Sequence, residues 1–305
     1  MSHIKNGTWA TMLTPFTDDN RIDFYGMEKL LAYYAHKEID GIFALCQSSE
    51  LFFLSPQEKA DILQFVVQHT PKSIQIIVSG NTAFTLAEQT EEANRLYNSD
   101  CSAYVVLPNR FAAPEESDDV LLERLSRFVD AVPDIPLGLY ECPYPYKRLV
   151  SPKILRYCVQ TGRFVFMKDT CCDLQRIRER LDLLSGSGIS LFNANAATLL
   201  ESLRMGASGY CGVMTNLHPE FYVWLCRHFR DEPEKAEQVQ QYIGTCSVIE
   251  YPQYPVNAKY SLSLQGVPIG LTSRTKDAGK FTASNKLEVE QFTKLSALAR
   301  GWLQI

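Results

Sequence analysis

The sequence predicts an α/β fold of the (β/α)8-barrel (TIM barrel) type with a C-terminal helical appendage. Eight short apolar runs alternate with longer amphipathic segments, and this alternation stops after about Phe229. Most of the runs are apolar on both faces, as expected for strands buried in a parallel sheet. A count of eight strand–helix units favours a closed barrel over an open sheet, and 305 residues suit one such barrel. We therefore expect a barrel over residues 1–230 and a helical region over residues 231–305.

The predicted strands are rich in Val, Ile, Phe and Tyr. In chain order they are TWATMLTPF (8–16), DGIFALC (40–46), IQIIVSG (74–80), SAYVVL (102–107), IPLGLYE (135–141), FVFMKD (164–169), ISLFNA (189–194) and SGYCGV (208–213).

Helix signals occupy the segments between the strands. Ser55 and Ser151 each precede a proline, which is the arrangement of an N-cap followed by Pro at the first helical position. Thr85 can cap a helix, and residues 121–129 carry an apolar stripe at helical spacing. Three further segments read as helices without strands between them: 231–250, 254–266 and 284–305.

Composition excludes several classes of function. The net charge of -5 argues against a nucleic-acid groove, which would need a basic stripe, but it allows an anionic small-molecule ligand. There is no secretory-signal pattern and no apolar run of membrane-spanning length, so we expect a cytoplasmic protein. The nine cysteines show no C-x-x-C spacing and the five histidines are dispersed. Reduced thiols and no metal centre are therefore expected.

Lys168 is the first candidate for catalysis, because it ends the apolar strand FVFMKD. In a (β/α)8 barrel, catalytic groups lie at the C-terminal ends of strands. Apolar neighbours remove hydration from an ammonium and so favour the free amine, which can attack a ketone to give an iminium. The alternative interpretation is a lysine neutralised by Asp169 or extended to the surface.

Two other strand ends carry polar groups. Tyr140 ends the fifth predicted strand, where a phenol could relay protons to the lysine, or could simply fill the barrel interior. The turn Cys46–Glu50 follows the second strand, and its consecutive hydroxyls could hold a carboxylate or could form an ordinary polar turn.

Together these segments resemble the dihydrodipicolinate synthase / N-acetylneuraminate lyase family of class I aldolases. The resemblance covers most of the chain and is carried by ATMLTPF (10–16), SSEL (48–51) with LSPQEK (54–59), VSGNT (78–82), LYECP (139–143), FMKD (166–169), ATLLESLRMGASGY (197–210), Asn216 and Pro219.

The resemblance implies a role for each matched position. It implies Lys168 as the Schiff-base residue, Tyr140 as the proton relay and Ser48 as a hydroxyl that binds the substrate carboxylate. It also implies pyruvate or a related 2-oxo acid as substrate, no metal or organic cofactor, and a homotetramer or dimer. The candidate substrate-binding residues are Gln47, Ser48, Ser49, Arg110 and Cys211.

The sequence departs from the family pattern around this site. Gln47 stands where many members have a relay hydroxyl, and Ser49 replaces a glycine, which predicts a different shape for the turn. Asn109 and Arg110 stand where synthases have an aromatic pair that reaches into a neighbouring subunit.

Further departures concern charge. Pro145 lies near the position of a missing arginine, and Glu141 adds a negative charge beside Tyr140. These departures argue against dihydrodipicolinate synthesis and suggest that cationic contacts come from new positions, namely Arg110, Lys147 and Arg148.

Five cysteines map to the predicted rim of the site: Cys46, Cys142, Cys171, Cys172 and Cys211. One interpretation is that they are small apolar fillers. The other is an oxidation-sensitive pocket in which a protonated lysine lowers the pKa of a nearby thiol.

The leading hypothesis is a lyase that makes or breaks a C–C bond through a Lys168 iminium, with pyruvate as donor or product. One alternative is a dehydratase or deaminase acting on a 2-oxo-3-deoxy acid through the same iminium. Another is a barrel that binds a ligand without catalysis, as a regulatory protein. A phosphosugar enzyme is disfavoured, because the segments after strands seven and eight lack a glycine-rich phosphate cradle.

Overall fold

The computed structural model describes residues 3–305 and contains a closed barrel of eight parallel strands in sequential order. This confirms the predicted (β/α)8 fold. Each strand overlaps the run that predicted it. The strands are Gly7–Thr11 (β1), Gly41–Phe43 (β2), Gln75–Ser79 (β3), Ala103–Val106 (β4), Leu137–Tyr140 (β5), Phe164–Asp169 (β6), Ser190–Asn193 (β7) and Gly209–Tyr210 (β8).

Eight helices alternate with the strands, and three more follow Phe229. The first eight are Phe24–His36 (α1), Pro56–His69 (α2), Leu86–Leu96 (α3), Asp118–Ala131 (α4), Pro152–Thr161 (α5), Leu174–Leu184 (α6), Leu199–Arg204 (α7) and Pro219–His228 (α8). The others are Pro233–Cys246 (α9), Val256–Leu264 (α10) and Ala283–Leu303 (α11). None of the helices in residues 3–305 is both long and apolar enough to cross a membrane.

The predicted helix starts are correct, because their caps are local features of the sequence. The hydroxyls of Ser55, Thr85 and Ser151 each accept a hydrogen bond from a backbone N–H in the first turn of α2, α3 and α5, respectively. Pro56 occupies the first position of α2, where no N–H is needed.

Aromatic side chains fill the barrel interior. The ring centroids of Phe166 and Phe192 lie 5.0 Å apart, and Trp9 lies 5.7 Å from Phe166 and 5.6 Å from Phe192. Phe43 packs against Phe166 at 6.2 Å. These large buried rings make the barrel a packed core and leave the functional space at the carboxyl ends of the strands.

The C-terminal helices are tied to the barrel at the turn after β2. Glu50 adopts a left-handed conformation with φ of 60°. Its carboxylate lies 3.1 Å from the Lys259 ammonium of α10 and accepts hydrogen bonds from the backbone N–H groups of Arg274 and Thr275. Both ends of this ion pair are buried, so the barrel mouth and the C-terminal region are held in one arrangement.

Candidate active site

Lys168 and Tyr140 lie side by side at the carboxyl ends of β6 and β5. They are direct partners in the parallel pairing of the two strands, and both are almost fully buried. The Lys168 Nζ lies 4.4 Å from the centroid of the Tyr140 ring and 5.8 Å from that of Phe43. The two residues named as catalytic candidates from the sequence are therefore brought together in the structure.

Asp169 and Glu141 point away from this pair, because successive side chains of a strand alternate between its faces. The Arg180 guanidinium of α6 lies between the two carboxylates and donates hydrogen bonds to both. Lys168 is therefore not neutralised by Asp169. The negative charge of Glu141 also does not lie beside Tyr140, which corrects the expectation from the sequence.

The buried ion-pair cluster Glu141–Arg180–Asp169 holds two carboxylates and one guanidinium. Burial raises the pKa of Glu141, with Arg180 opposing the rise and Asp169 adding to it. The cluster joins the residues that directly follow Tyr140 and Lys168. It therefore fixes the two strand ends relative to α6.

Lys168 has an unusual electrostatic environment. Among residues 3–305, no carboxylate lies within 4.0 Å of its Nζ. Glu250, which ends a 3-10 turn at Ser247–Glu250, interacts with Lys168 at longer range. Burial raises the pKa of Glu250 to about 7, and the lysine charge opposes that rise. Sequence reasoning missed Glu250, which lies 82 residues beyond Lys168 with no motif around it.

The phenol of Tyr140 is held in its protonated form. Burial, followed by the neighbouring thiols of Cys142, Cys46 and Cys211, raises the pKa of Tyr140 well above its usual value. A protonated phenol can donate to a developing hydroxyl or alkoxide beside the lysine and later accept that proton back.

Ser48 is part of a hydrogen-bonded chain that reaches into the C-terminal region. Asn216 Nδ2 donates to the Tyr254 hydroxyl at 3.2 Å, and Tyr254 donates to Ser48 Oγ at 2.7 Å. Because Ser48 Oγ accepts this bond, its own proton is available to another acceptor. Tyr254 was missed from the sequence, since it is 206 residues from Ser48 and no local pattern marks it.

The other residues of the turn have different roles. The Ser49 hydroxyl is fully buried and lies within hydrogen-bond distance of the carbonyl oxygens of Met12 and Ala44, at 2.6 and 2.8 Å. Ser49 therefore holds the turn and does not contact the cavity, contrary to its selection as a substrate-binding candidate. Gln47 lines the cavity, and its Oε1 accepts a hydrogen bond from the Cys142 thiol at 3.5 Å.

The cations expected to serve the site lie elsewhere. Arg110 donates to the carbonyl oxygens of Thr82 and Ala83, and Arg148 donates to Ala113. Lys147 donates to the Thr170 carbonyl at 2.9 Å, outside the cavity lining. None of these three residues lines the cavity, although the Arg110 guanidinium lies 5.9 Å from the centroid of the Phe52 ring, which does.

Asn109 has a structural role that the sequence did not reveal. Its Nδ2 lies within hydrogen-bond distance of the carbonyl oxygens of Cys142, Tyr144 and Tyr146, at 2.9, 2.9 and 2.7 Å. In return, the Tyr146 hydroxyl donates to the Asn109 carbonyl at 2.6 Å. Asn109 thereby anchors the loop 142–146 that follows β5.

The predicted rim cysteines separate into two groups. Cys46, Cys142 and Cys211, the three barrel thiols, are buried with Tyr140 in one apolar cluster. Burial raises the pKa of Cys142 to about 11 and that of Cys211 to about 12, although Lys168 opposes both shifts. The hypothesis of thiols activated by the lysine is therefore wrong for these two residues, because desolvation outweighs the lysine charge.

Cys171 and Cys172 lie farther out. Cys171 is half-buried, and burial followed by the charge of Asp169 raises its thiol pKa to about 12. Cys172 is exposed, and its sulfur contacts the Asn195 amide at 3.2 Å.

A cavity of about 320 Å³ opens at this end of the barrel. At its inner end lie the buried Ser48 and Tyr140 and the partly buried Tyr254. Its remaining lining is Gln47, Glu50, Phe52, Phe53, Pro143, Tyr144, Val213, Pro255, Thr275 and Lys276. Within residues 3–305 there is no group of three or more His, Cys, Asp or Glu side chains arranged to hold a metal ion.

Comparison with known proteins is consistent with this geometry. The chain is 23% identical over 266 residues to the 4-hydroxy-tetrahydrodipicolinate synthase of Clostridium perfringens, covering 87% of this chain and 89% of the relative. It is 25% identical over 221 residues to the enzyme of the same name from Shewanella baltica, covering 72% and 74%.

Solved structures show the same fold. A prophage protein of the dihydrodipicolinic acid synthase family from E. coli K12, in complex with pyruvate, aligns with a TM-score of 0.85 at 19% identity, covering 96% of this chain and 99% of that one. A catalytic-lysine mutant of the Ruminococcus gnavus sialic acid aldolase aligns with a TM-score of 0.86 at 14% identity, covering 98% and 97%.

The model of the dihydrodipicolinate synthetase family matches residues 5–295. Because this match spans nearly the whole chain, the protein belongs to the dihydrodipicolinate synthetase family of class I aldolase lyases.

Proposed function

We propose that the protein is a Schiff-base lyase that makes or breaks a C–C bond next to a small 2-oxo acid such as pyruvate. The observation that carries the proposal is the position of the Lys168 amine. It lies on the face of the Tyr140 ring, is nearly fully buried, and has no carboxylate within 4.0 Å among the described residues. An amine in this position is not held in an ion pair with a described carboxylate, and it can attack a ketone bound beside the Tyr140 phenol.

The proposed reaction begins with attack of the Lys168 amine on C2 of the 2-oxo acid. The resulting carbinolamine loses water to give an iminium, with the Tyr140 phenol donating a proton to the departing hydroxyl. In the cleavage direction, the 4-hydroxyl of the substrate passes its proton to the Tyr140 phenolate and the C3–C4 bond breaks. The bonding electrons pass into an enamine on the lysine, and an aldehyde leaves. Protonation of the enamine at C3 and hydrolysis release pyruvate.

Ser48 is the proposed carboxylate-binding hydroxyl. Tyr254 donates to its oxygen, so the Ser48 proton can be directed at a carboxylate oxygen of the substrate. Ser48 also belongs to the 3-10 turn Gln47–Ser49. The first backbone N–H groups of such a turn are not used in its own hydrogen bonds, so they are available to the same carboxylate.

Borohydride reduction in the presence of pyruvate, followed by peptide mass mapping, tests the proposal. We expect a mass gain on the peptide that contains Lys168, and none in Lys168→Ala. An absence of any adduct with pyruvate or a panel of 2-oxo acids would instead favour a barrel that binds its ligand without catalysis. Product analysis then separates the two chemistries, since C–C cleavage yields pyruvate and an aldehyde while dehydration or deamination keeps the carbon chain intact.

We also propose that the protein is a homo-oligomer. Members of the family to which the chain belongs are usually oligomeric, which supports this proposal. Sedimentation analysis should give a mass above that of one 34.6 kDa chain.

A further inference from the structure

We propose that the aldehyde partner of this lyase carries an aryl group, bound in an aromatic subsite at the outer end of the cavity. This inference rests on the proposed Lys168 iminium and adds the chemical class of the second reactant. The subsite is formed by Phe52, Phe53 and Tyr144, and these three residues are called the aromatic wall below.

The cavity changes in character along its length. Ser48 and Tyr140 at the inner end are each 4% exposed, whereas Phe53 and Tyr144 are 41% and 42% exposed. Tyr140, whose ring centroid lies 4.4 Å from the Lys168 Nζ, lines the inner end together with Ser48. If the carboxylate of a lysine-bound 2-oxo acid is held by Ser48 as proposed above, the rest of the substrate extends toward the aromatic wall.

The geometry of the aromatic wall suits a flat apolar group. The ring centroids of Phe52 and Tyr144 lie 5.0 Å apart, and those of Phe53 and Tyr144 lie 5.9 Å apart, both in tilted arrangements. Further aromatic groups pack well at such spacings, where ring edges meet ring faces. A cavity of about 320 Å³ is large enough for a 2-oxo acid joined to one ring and lies within the range of small-ligand sites.

The loops that carry the wall are held in place. Asn109 binds the Tyr144 carbonyl, so the loop 142–146 has a fixed path. Phe52 and Phe53 belong to the 3-10 turn Leu51–Phe53, which starts directly after the buried and paired Glu50. The wall is therefore a preformed feature, which limits the entropic cost of binding.

The charges around the cavity disfavour an anionic partner. Of the residues that line it, Lys276 is the only cation, and its side chain is exposed. Arg274 is bound to Glu58 and the Phe53 carbonyl, and Lys259 is bound to Glu50. A second carboxylate would therefore gain little compensation for its lost hydration.

The experiment measures kcat/KM for aldol addition of pyruvate to three aldehydes: benzaldehyde, glyceraldehyde and succinic semialdehyde. We expect benzaldehyde to be preferred by at least about 10-fold, the scale of discrimination that an apolar pocket provides. In Phe53→Ser the ratio of benzaldehyde to glyceraldehyde should fall about 5- to 10-fold. Phe24→Ser, which changes a phenylalanine of similar exposure (37%) outside the cavity, is the matched control and should keep the wild-type ratio.

Each other outcome overturns a defined part of the reasoning. A borohydride-trapped pyruvate adduct on Lys168 without an aryl preference refutes the aromatic subsite and leaves the lyase proposal standing. No adduct at all refutes the lyase proposal, and the subsite with it. A change in sedimentation of Phe53→Ser with an unchanged aldehyde ratio would show that the wall serves a contact between subunits instead.

Discussion

Arg180→Met tests the ion-pair cluster that fixes the two catalytic strand ends. Methionine is similar in length but uncharged, so the variant leaves Glu141 and Asp169 buried without their cation. Both carboxylates keep backbone donors: Glu141 accepts from Val150 N at 2.7 Å and Thr170 N at 2.9 Å, and Asp169 from Cys171 N at 2.8 Å. These bonds do not replace a positive charge in a site that water does not reach.

The expected loss of stability follows from the burial of all three groups. The exposed fractions of the side chains are 4% for Arg180 and 0% for both carboxylates. Removing one partner of such a buried pair costs about 3–5 kcal/mol. With an unfolding entropy of about 2.1 cal/mol/K per residue over a chain of this length, that cost lowers Tm by ~5–8 °C.

The pH dependence supplies a second signature. Without Arg180, the pKa of Glu141 in the folded state, which burial already raises, rises further above its unfolded value near 4. The folded state then binds more protons than the unfolded state, so stability falls as pH rises above about 4. The deficit of the variant relative to wild type should therefore be smaller at pH 5 than at pH 8.

Differential scanning calorimetry at pH 5 and pH 8 measures both effects. Arg178→Met is the matched control, because Arg178 is an exposed arginine of the same helix. A loss of Tm in Arg180→Met no larger than in the control would refute the account of the cluster. Equal deficits at the two pH values would refute the role of unpaired carboxylates.

Three further predictions concern the cavity. Tyr254→Phe removes one hydrogen bond to Ser48, which is worth about 1–1.5 kcal/mol. The KM for the 2-oxo acid should therefore rise about 5- to 13-fold, while the adduct on Lys168 still forms at saturating substrate. An unchanged KM would contradict this role of Tyr254. Burial raises the pKa of Glu250 to about 7, so the rate of adduct formation on Lys168 should show a transition near pH 7 that Glu250→Gln lacks. If Glu250→Gln keeps the transition in the rate of adduct formation, that transition belongs to another group. Because the folded-state pKa of Glu250 lies above its unfolded value, its ionisation lowers the stability of the wild type between pH 4.5 and 7. Glu250→Gln should therefore be the more stable protein at pH 8. Iodoacetamide should modify the exposed Cys172 before the three barrel thiols, and peptide mapping over time measures the rate at each cysteine. Faster modification of a barrel thiol than of Cys172 would contradict the burial argument.

The barrel could be predicted because its determinants are local. Buried parallel strands give short runs that are apolar on both faces, and caps such as Ser55 with Pro56 act within one turn. The pairing of Lys168 with Tyr140 could also be anticipated, since both end strands that are neighbours in a sequential barrel. Local pattern and topology were sufficient for these features.

The sequence also predicts on which face of the barrel strand Glu141 lies. If Tyr140 faces the barrel interior, the next residue of an extended strand faces the helices, and the same holds for Asp169 after Lys168. The expectation of a negative charge beside Tyr140 treated adjacency in sequence as proximity in space. Arg180 could have been proposed as the partner, because a buried carboxylate needs a cation.

Other features depend on the tertiary structure. Tyr254 reaches Ser48 only because the C-terminal region folds over the barrel mouth, 206 residues along the chain. The thiol pKa values depend on two opposing effects, desolvation and the charge of Lys168, and their balance is set by depth below the surface. The polar contacts of Arg110 likewise depend on which carbonyl groups the neighbouring loops present.

The departures from the family pattern are connected through the structure. Gln47 stands where many members have a relay hydroxyl, and its Oε1 accepts a hydrogen bond from the Cys142 thiol of the loop 142–146. Asn109 stands where synthases have an aromatic residue, and it anchors the loop that brings Tyr144 to the cavity. Aromatic surface at the outer end is thus supplied by loops of the chain itself. Because these changes support one another, reverting Gln47 alone would alter the turn without changing the wall or adding a cation to the cavity.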